Sequence, residues 1–172
     1  HAADPKALLF YNDYNTEDPR KREKIYAMLK KLLAAKVPIH GVGLQGHWNI
    51  YDAGLDKEIP ASIEKFASLG LKVQVTELDI SVYPSESDRR PKRPGETDTF
   101  TPEQEQKQFE QYKIVFDAFR KNRSKLSGVT FWNVSDRRSW LDNFPVAGRK
   151  NYPLLFDGEN KPKRAYYEIV KF

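Results

Sequence analysis

The run Val73-Gln74-Val75-Thr76-Glu77-Leu78-Asp79-Ile80-Ser81 reads as a strand that ends in two acids. It opens with β-branched Val73, Val75 and Thr76, the residue types that suit a pleated, half-buried surface. Acidic residues are depleted inside strands, so Glu77 and Asp79 at the end of one need a reason. With a side-chain period of two, both carboxylates point to one side and Leu78 to the other. Taken alone, the pair is either a solvated strand end or a catalytic carboxylate with a supporting neighbour.

Working outward, three more segments have the same form. Ala7–Asn12 is an apolar run that reads as a buried strand and passes into Asn12-Asp13-Tyr14-Asn15. Ile39 through Val42 and Leu44 leads to Gln45-Gly46-His47-Trp48, and Gly41, Gly43 and Gly46 predict a strand whose backbone is closely approached. Gly128–Asn133 is the fourth, with Trp132 at its tip, followed by Ser135-Asp136 and Ser139-Trp140-Leu141.

Helical patterns fill the intervals. Asp18 offers an N-cap and Pro19 a first helical position, ahead of a stripe of Ile25, Met28, Leu29, Leu32 and Leu33. Pro60 is expected to open the second helix, with Ile63, Phe66 and Ala67 inward and Gly70 at its C-terminal turn. Thr101-Pro102-Glu103-Gln104 is a capping box before the inward stripe Phe109, Tyr112, Phe116 and Phe119. Pro162 leads into a last helix on Ala165, Tyr166 and Ile169. Between the third strand and third helix lies a long polar loop from Ser81 to Phe100, which predicts a functional or mobile segment.

Four strand–helix units in succession predict a parallel α/β fold. Asn12, Tyr14, Gln45, His47, Glu77, Asp79, Trp132 and Trp140 all fall at or just beyond the C-terminal ends of strands. That is the chemical face of a TIM (β/α)8 barrel. A doubly wound sheet also binds ligands there, but it usually carries a glycine-rich phosphate turn, which this chain lacks. A full barrel takes about 250 residues. Residues 1–172 supply four units, so the expectation is half a barrel, with the missing half upstream. Four strands cannot close, and a companion chain or segment with the first half is expected on the open edges.

Composition narrows the function. There is no cysteine, which excludes a disulfide framework and thiolate metal sites. The net charge of +5 invites a nucleic-acid reading. Yet the bases cluster on expected helix faces, such as Arg20-Lys21-Arg22, or in the loop Arg89-Arg90-Pro91-Lys92-Arg93, without a nucleic-acid motif. They read as solvated surface, and no nucleic-acid partner is expected. No apolar run approaches the roughly 18 residues of a membrane span, and no signal peptide is visible.

The motifs, taken in order, resemble the C-terminal half of the family 10 glycoside hydrolases, whose main activity is endo-β-1,4-xylanase. The carriers are Tyr11-Asn12-Asp13-Tyr14-Asn15, Gly43-Leu44-Gln45-Gly46-His47, Thr76-Glu77-Leu78-Asp79-Ile80, and Phe131-Trp132 with Ser135-Asp136 and Ser139-Trp140-Leu141. The resemblance implies that Glu77 is the nucleophile of a retaining glycosidase acting on xylan or xylo-oligosaccharides. Such enzymes hold two carboxyl groups about 5–5.5 Å apart. By the same resemblance His47 donates a hydrogen bond to Glu77, and Asp79 orients the His47 ring. Trp132 and Trp140 are the implied walls around the reacting sugar, Tyr14 and Gln45 contacts to that sugar or to the nucleophile, and Asn12 a further substrate contact; Trp48, which follows the His47 motif, is a candidate outer contact. No metal or other cofactor is implied, and a secreted, cell-surface or periplasmic location is.

The chain departs from the family pattern at three points. The acid/base glutamate belongs to an Asn-Glu motif after the fourth barrel strand, upstream of residue 1, and no Asn-Glu pair stands at a strand tip here. Asn133 follows Trp132 where a small residue is common, and Arg137-Arg138 replace acidic or small ones. A non-catalytic carbohydrate-binding fragment of such an enzyme is therefore the alternative expectation.

Overall fold

The computed structural model describes residues 2–171. The first strand, β1, spans Phe10–Asp13 and is shorter than the apolar run that predicts it. Leu8 and Leu9 are exposed. The reason is position: among the described residues β1 pairs only with β2 (Gly41–Leu44), so one side is uncovered. Helix α1 runs Pro19–Ala34 and starts where expected, because the Asp18 carboxylate accepts the Lys21 backbone N–H at 2.8 Å. Its buried residues are Ile25 and Leu29.

The second strand expected from sequence is two strands, β2 and β3 (His47–Asn49). Gly46 separates them in the left-handed region (φ 81°), where a side chain would strain the backbone. Gly41 and Gly43 are crowded as expected: a Cβ at Gly41 would meet the Phe10 ring at 2.2 Å. Helix α2 spans Leu55–Ala67, five residues ahead of the proline expected to open it. Gly54 (φ 78°) makes the turn into the helix, and Pro60 lies inside. The N–H that Pro60 lacks would have gone to the carbonyl of Asp56, a residue on the exposed side of the helix. Gly70 ends this unit with φ 76°.

Strand β4 is Lys72–Ser81. Its first part pairs in parallel with β2, Leu44 opposite Val75; its last part pairs in parallel with β3, His47 opposite Asp79. Between those pairs β4 has three residues (Thr76, Glu77, Leu78), while the partner segment has two (Gln45, Gly46). The extra residue is a β-bulge. It breaks the alternation of burial: Val73 and Val75 are buried, Thr76 and Glu77 are both partly open, and Leu78, Asp79 and Ile80 are all buried. Strand β6 (Leu126–Phe131) also pairs with β4 and stops one residue short of Trp132.

The described chain divides into two compact units. The first holds the residues up to Gly46, Gly54–Leu78 and Asp117–Thr130; the second holds His47–Ala53, Asp79–Phe116 and the residues from Phe131 onward. The first has a core of Leu29, Val42, Leu44, Ile59, Ile63, Phe66, Val73, Val75 and Leu78, all essentially inaccessible. Each such side chain contributes roughly 1.5–3 kcal/mol by burial.

The second unit is built on helix α3 (Pro102–Lys121), whose first fifteen residues belong to it. The capping box forms, Thr101 Oγ1 accepting the Gln104 N–H while Gln104 accepts that of Thr101. The buried face differs from the aromatic stripe expected. Tyr112 and Phe116 are inside, but Phe109 is only half-buried, and Gln108 and Gln111 are buried instead. Gln108 donates to the carbonyls of Ile80 and Tyr152, and Gln111 to those of Asn49 and Asp52. Each glutamine supplies a donor to irregular backbone that has no ladder partner.

The loop from Ser81 to Phe100 is tied down. Its short strand β5 (Arg90–Pro91) pairs with β7 (Val146–Ala147). Arg90 bridges Glu86 and Glu96 at 2.8 and 2.6 Å, and nearly buried Arg149 reaches Glu86 at 2.7 Å. The last helix, α4 (Arg164–Ile169), buries Ala165 and Ile169, with Tyr166 half-buried against Phe156.

Candidate functional site

In the first unit the expected site residues Asn12, Gln45 and Glu77 stand at adjacent strand ends. Asn12 lies opposite Gly43 in the β1–β2 register. A Cβ on Gly43 would sit 2.3 Å from Asn12 Oδ1 and 2.8 Å from Thr76 Cγ2, so the missing side chain is what admits the Asn12 amide. Asn12 Nδ2 donates to Glu77 Oε1 at 2.8 Å, and Thr76 Oγ1 donates to Asn12 Oδ1 at 2.7 Å. The amide is thus used at both ends, its nitrogen facing Glu77 and its oxygen taking the Thr76 proton. One amide can serve two consecutive residues of β4 because the bulge turns both toward it. Gln45 contributes backbone here, its N–H donating to the Asp13 carbonyl and its carbonyl accepting the Glu77 N–H.

Tyr14, just past β1, is 57% exposed. Beside it, the Asp13 carboxylate accepts from the Tyr11 hydroxyl (2.6 Å), the Lys21 ammonium (2.8 Å) and the Tyr14 backbone N–H (2.9 Å). Burial pushes the Asp13 carboxyl up, but those hydrogen bonds and the Lys21 charge outweigh it and hold it below its usual range. Burial, and then the bond to Asp13, push the Tyr11 phenol up to about 12.

In the second unit His47, Asp79, Trp132 and Trp140 come together. Asp79 is 1% exposed, and both its oxygens are used by rings. Its Oδ1 lies 2.9 Å from His47 Nδ1 and its Oδ2 accepts the Trp140 indole N–H at 2.8 Å. As the carboxylate only accepts, the His47 hydrogen sits on Nδ1. The His47 ring centroid is 5.0 Å from that of Trp140 and 6.3 Å from that of Trp132, the latter edge-on. Trp140 starts a single 3-10 turn, Trp140–Asp142, capped by Ser139 Oγ, and its ring stacks on Phe144 at 5.2 Å and 20°. A cleft of about 130 Å³ opens here, lined by His47, Asp79, Trp140, Phe144 and Arg149 among others. Trp132 is 48% exposed and Trp140 37%, so both offer open indole.

Several expectations change. Trp48 is buried at 3% and lines the cleft from within, so it offers little open ring surface. Asp136 is buried, accepts the Leu154 N–H and pairs with buried Lys163 at 2.9 Å. Burial pushes Asp136 up against the opposing pull of Lys163. That half of the Ser135-Asp136 motif holds the C-terminal segment and leaves open surface to its neighbours. Asn133 closes its own loop by donating to the Arg138 carbonyl, and Arg137 donates to the Gly158 carbonyl. In the basic cluster at the start of α1, Lys21 and Arg22 engage partners and are not freely solvated. Thr76, Phe144 and Lys21 escaped sequence reading. Lys21 had a signal: a base in a first helical turn, where an acid is favoured. Among the described residues, no three His, Asp or Glu side chains gather as a metal cluster, and no helix is long and apolar enough to cross a membrane.

Comparison with known proteins agrees with the motif order. The model of glycosyl hydrolase family 10 matches residues 1–172. The chain is 49% identical over 172 residues to endo-1,4-beta-xylanase B of Paenibacillus barcinonensis, covering 99% of this chain and 49% of the relative. It is 47% identical to an endo-1,4-beta-xylanase of Geobacillus stearothermophilus, covering 99% and 50%. The crystal structure of xylanase B from Paenibacillus barcinonensis, complexed with a conduramine derivative, superposes with a TM-score of 0.90 at 49% identity, over 99% of this chain and 50% of that one. The chain thus spans about half the length of the curated relatives it matches. The parallel strand–helix arrangement is that of a TIM-barrel fragment. By sequence and by structure, the chain belongs to glycosyl hydrolase family 10.

Proposed function

We propose that residues 1–172 supply strands 5–8, the second half of the catalytic barrel, of a retaining endo-β-1,4-xylanase. Glu77 attacks the anomeric carbon of an internal xylosyl unit, and the glycosidic C–O bond breaks as a covalent glycosyl-Glu77 ester forms. The leaving oxygen takes a proton from an acid/base glutamate on the companion segment upstream of residue 1. That glutamate, now a base, takes a proton from the water that hydrolyses the ester. His47 and Asp79 support the chemistry, while Trp132, Trp140, Tyr14, Gln45 and Asn12 bind sugar. The substrate is xylan or xylo-oligosaccharide, a polymer too large to cross a membrane, which favours a secreted or cell-surface location.

One observation carries this reading: Glu77 Oε1 accepts a hydrogen bond from Asn12 Nδ2 at a bulged strand end. A nucleophilic carboxylate must hold one oxygen toward the reacting carbon, and a fixed amide donor on its other oxygen sets that orientation. The names of the relatives support the substrate class.

The test is a 2-fluoro xylobioside inactivator applied to the barrel assembled with its upstream half. Mass mapping is expected to find the glycosyl adduct on Glu77, and Glu77→Gln to lower kcat/KM by at least about 10⁴-fold. Labelling of another carboxylate, or sugar binding without turnover by the assembled barrel, would sink the proposal. The second outcome would establish the carbohydrate-binding alternative.

A further inference from the structure

Helix α1 carries the wrong charge in its first turn. A helix N-terminus has partial positive charge and favours acids, yet α1 opens Pro19-Arg20-Lys21-Arg22 and has no acidic residue there. Specific partners offset that cost. Arg22 reaches Glu58 at 2.9 Å. Lys21 is held at both ends: its backbone N–H by the Asp18 cap at 2.8 Å, its ammonium by Asp13 at 2.8 Å. The same ammonium lies 3.5 Å from the centroid of the Tyr14 ring. Since Asp13 also accepts the Tyr14 backbone N–H, one carboxylate fixes both the backbone of Tyr14 and the cation on its ring.

We propose that Lys21 is a positioning residue for Tyr14, holding the phenol by one face so that a sugar meets only the other. The inference rests on the reading of Tyr14 as a sugar contact. A ring as exposed as Tyr14, on a loop, would otherwise turn freely, and binding would have to order it; a ring fixed in advance avoids that loss. A cation on one π-face is a directional attraction that a sugar cannot easily displace. Asp13 keeps the ammonium on that face, because moving it would separate an ion pair already closed at 2.8 Å.

The experiment is a double-mutant cycle in the assembled barrel, with KM and kcat measured on xylo-oligosaccharides and thermal unfolding followed in parallel. Lys21→Met keeps the aliphatic stem and removes the charge. It is expected to raise KM by about 2- to 5-fold with kcat unchanged. Lys21→Arg keeps a cation over the ring and is expected to return KM toward the parent value. Tyr14→Ala should raise KM, and adding Lys21→Met to it should add nothing, because the residue on which Lys21 acts is gone. KM factors that multiply in the double variant, or a Lys21→Met effect seen only in unfolding temperature, would overturn the inference. If Tyr14→Ala leaves KM unchanged, Tyr14 is not a sugar contact and the inference falls, while hydrolysis through Glu77 is judged separately by adduct mapping.

Discussion

Tyr14 and Trp140 are both open aromatic rings just beyond strand ends, and different forces hold them. Tyr14, 57% exposed, is gripped by charge: an ammonium on its face and a carboxylate behind that ammonium. Trp140, 37% exposed, is gripped by a hydrogen bond to buried Asp79 and by stacking on Phe144. A pair of charges at the surface is screened by salt and worth little alone, whereas a buried carboxylate that satisfies two ring donors is costly to disturb. Both rings are fixed in advance, Tyr14 by a charge-based hold that salt weakens and Trp140 by a buried anchor that it shares with His47.

Between these two rings, the larger expected effect follows from that shared anchor. Asp79→Asn preserves shape but turns an all-acceptor group into one with an amide N–H₂ on one side. One of the two ring N–H groups then faces a donor. In the assembled enzyme kcat/KM is expected to fall by roughly 10²- to 10⁴-fold, by analogy with the loss when a carboxylate behind a catalytic imidazole becomes an amide. Stability should fall by about 1–3 kcal/mol for a buried donor left unpaired. Steady-state kinetics and thermal unfolding check both. A variant within about tenfold of the parent in kcat/KM would show that Asp79 does not orient the ring pair.

A smaller effect tests whether the two holds differ in kind. Phe144→Leu removes the stacked partner of Trp140 but leaves apolar bulk. Aromatic pairs contribute about 0.5–1.5 kcal/mol beyond burial, so KM is expected to rise by about 2- to 12-fold. That ratio should be the same at low and high ionic strength, whereas the Lys21→Met ratio should shrink as salt screens the ammonium. Identical salt behaviour of the two variants would dissolve the distinction between a charge-held and a packing-held platform.

Much of this was legible in the sequence because it depends on spacing. Strand alternation in Val73–Thr76, the Asp18–Pro19 start and the Thr101 capping box are local rules, and the structure follows them. The order of polar motifs at strand ends was enough to bring out the family. Three things were not legible. The bulge at Thr76–Glu77 depends on how many residues the partner segment supplies, and a single strand does not carry that count. Pro60 inside α2 breaks a start rule because the residue whose carbonyl it leaves unbonded, Asp56, lies on the exposed side, and a sequence alone does not show which side that is. Gln108 and Gln111 lie on the buried face of α3, since irregular backbone elsewhere needs donors; a hydrophobic stripe cannot report that need. The role of Tyr14 in binding sugar is a proposal that Tyr14→Ala tests.

The smallest effect is a titration, and it bears on the weaker hold. Asp13 has a folded value below its usual 3.8, because the bonds from Lys21, Tyr11 and Tyr14 outweigh the burial that raises it. A depressed carboxyl contributes its stability fully above the unfolded value and loses it as pH falls through the folded one. The Tyr14 clamp should therefore be constant from about pH 7 to about pH 4 and release only below that range. Tyr14 ring-proton shifts, followed by NMR in a pH titration, should show one inflection below the usual carboxyl value. In Lys21→Met that inflection should move upward, since the ammonium is one of the groups that lower it. An inflection unmoved by Lys21→Met would mean that Asp13 is held by Tyr11 and the Tyr14 backbone alone, leaving Lys21 with no part in fixing the ring.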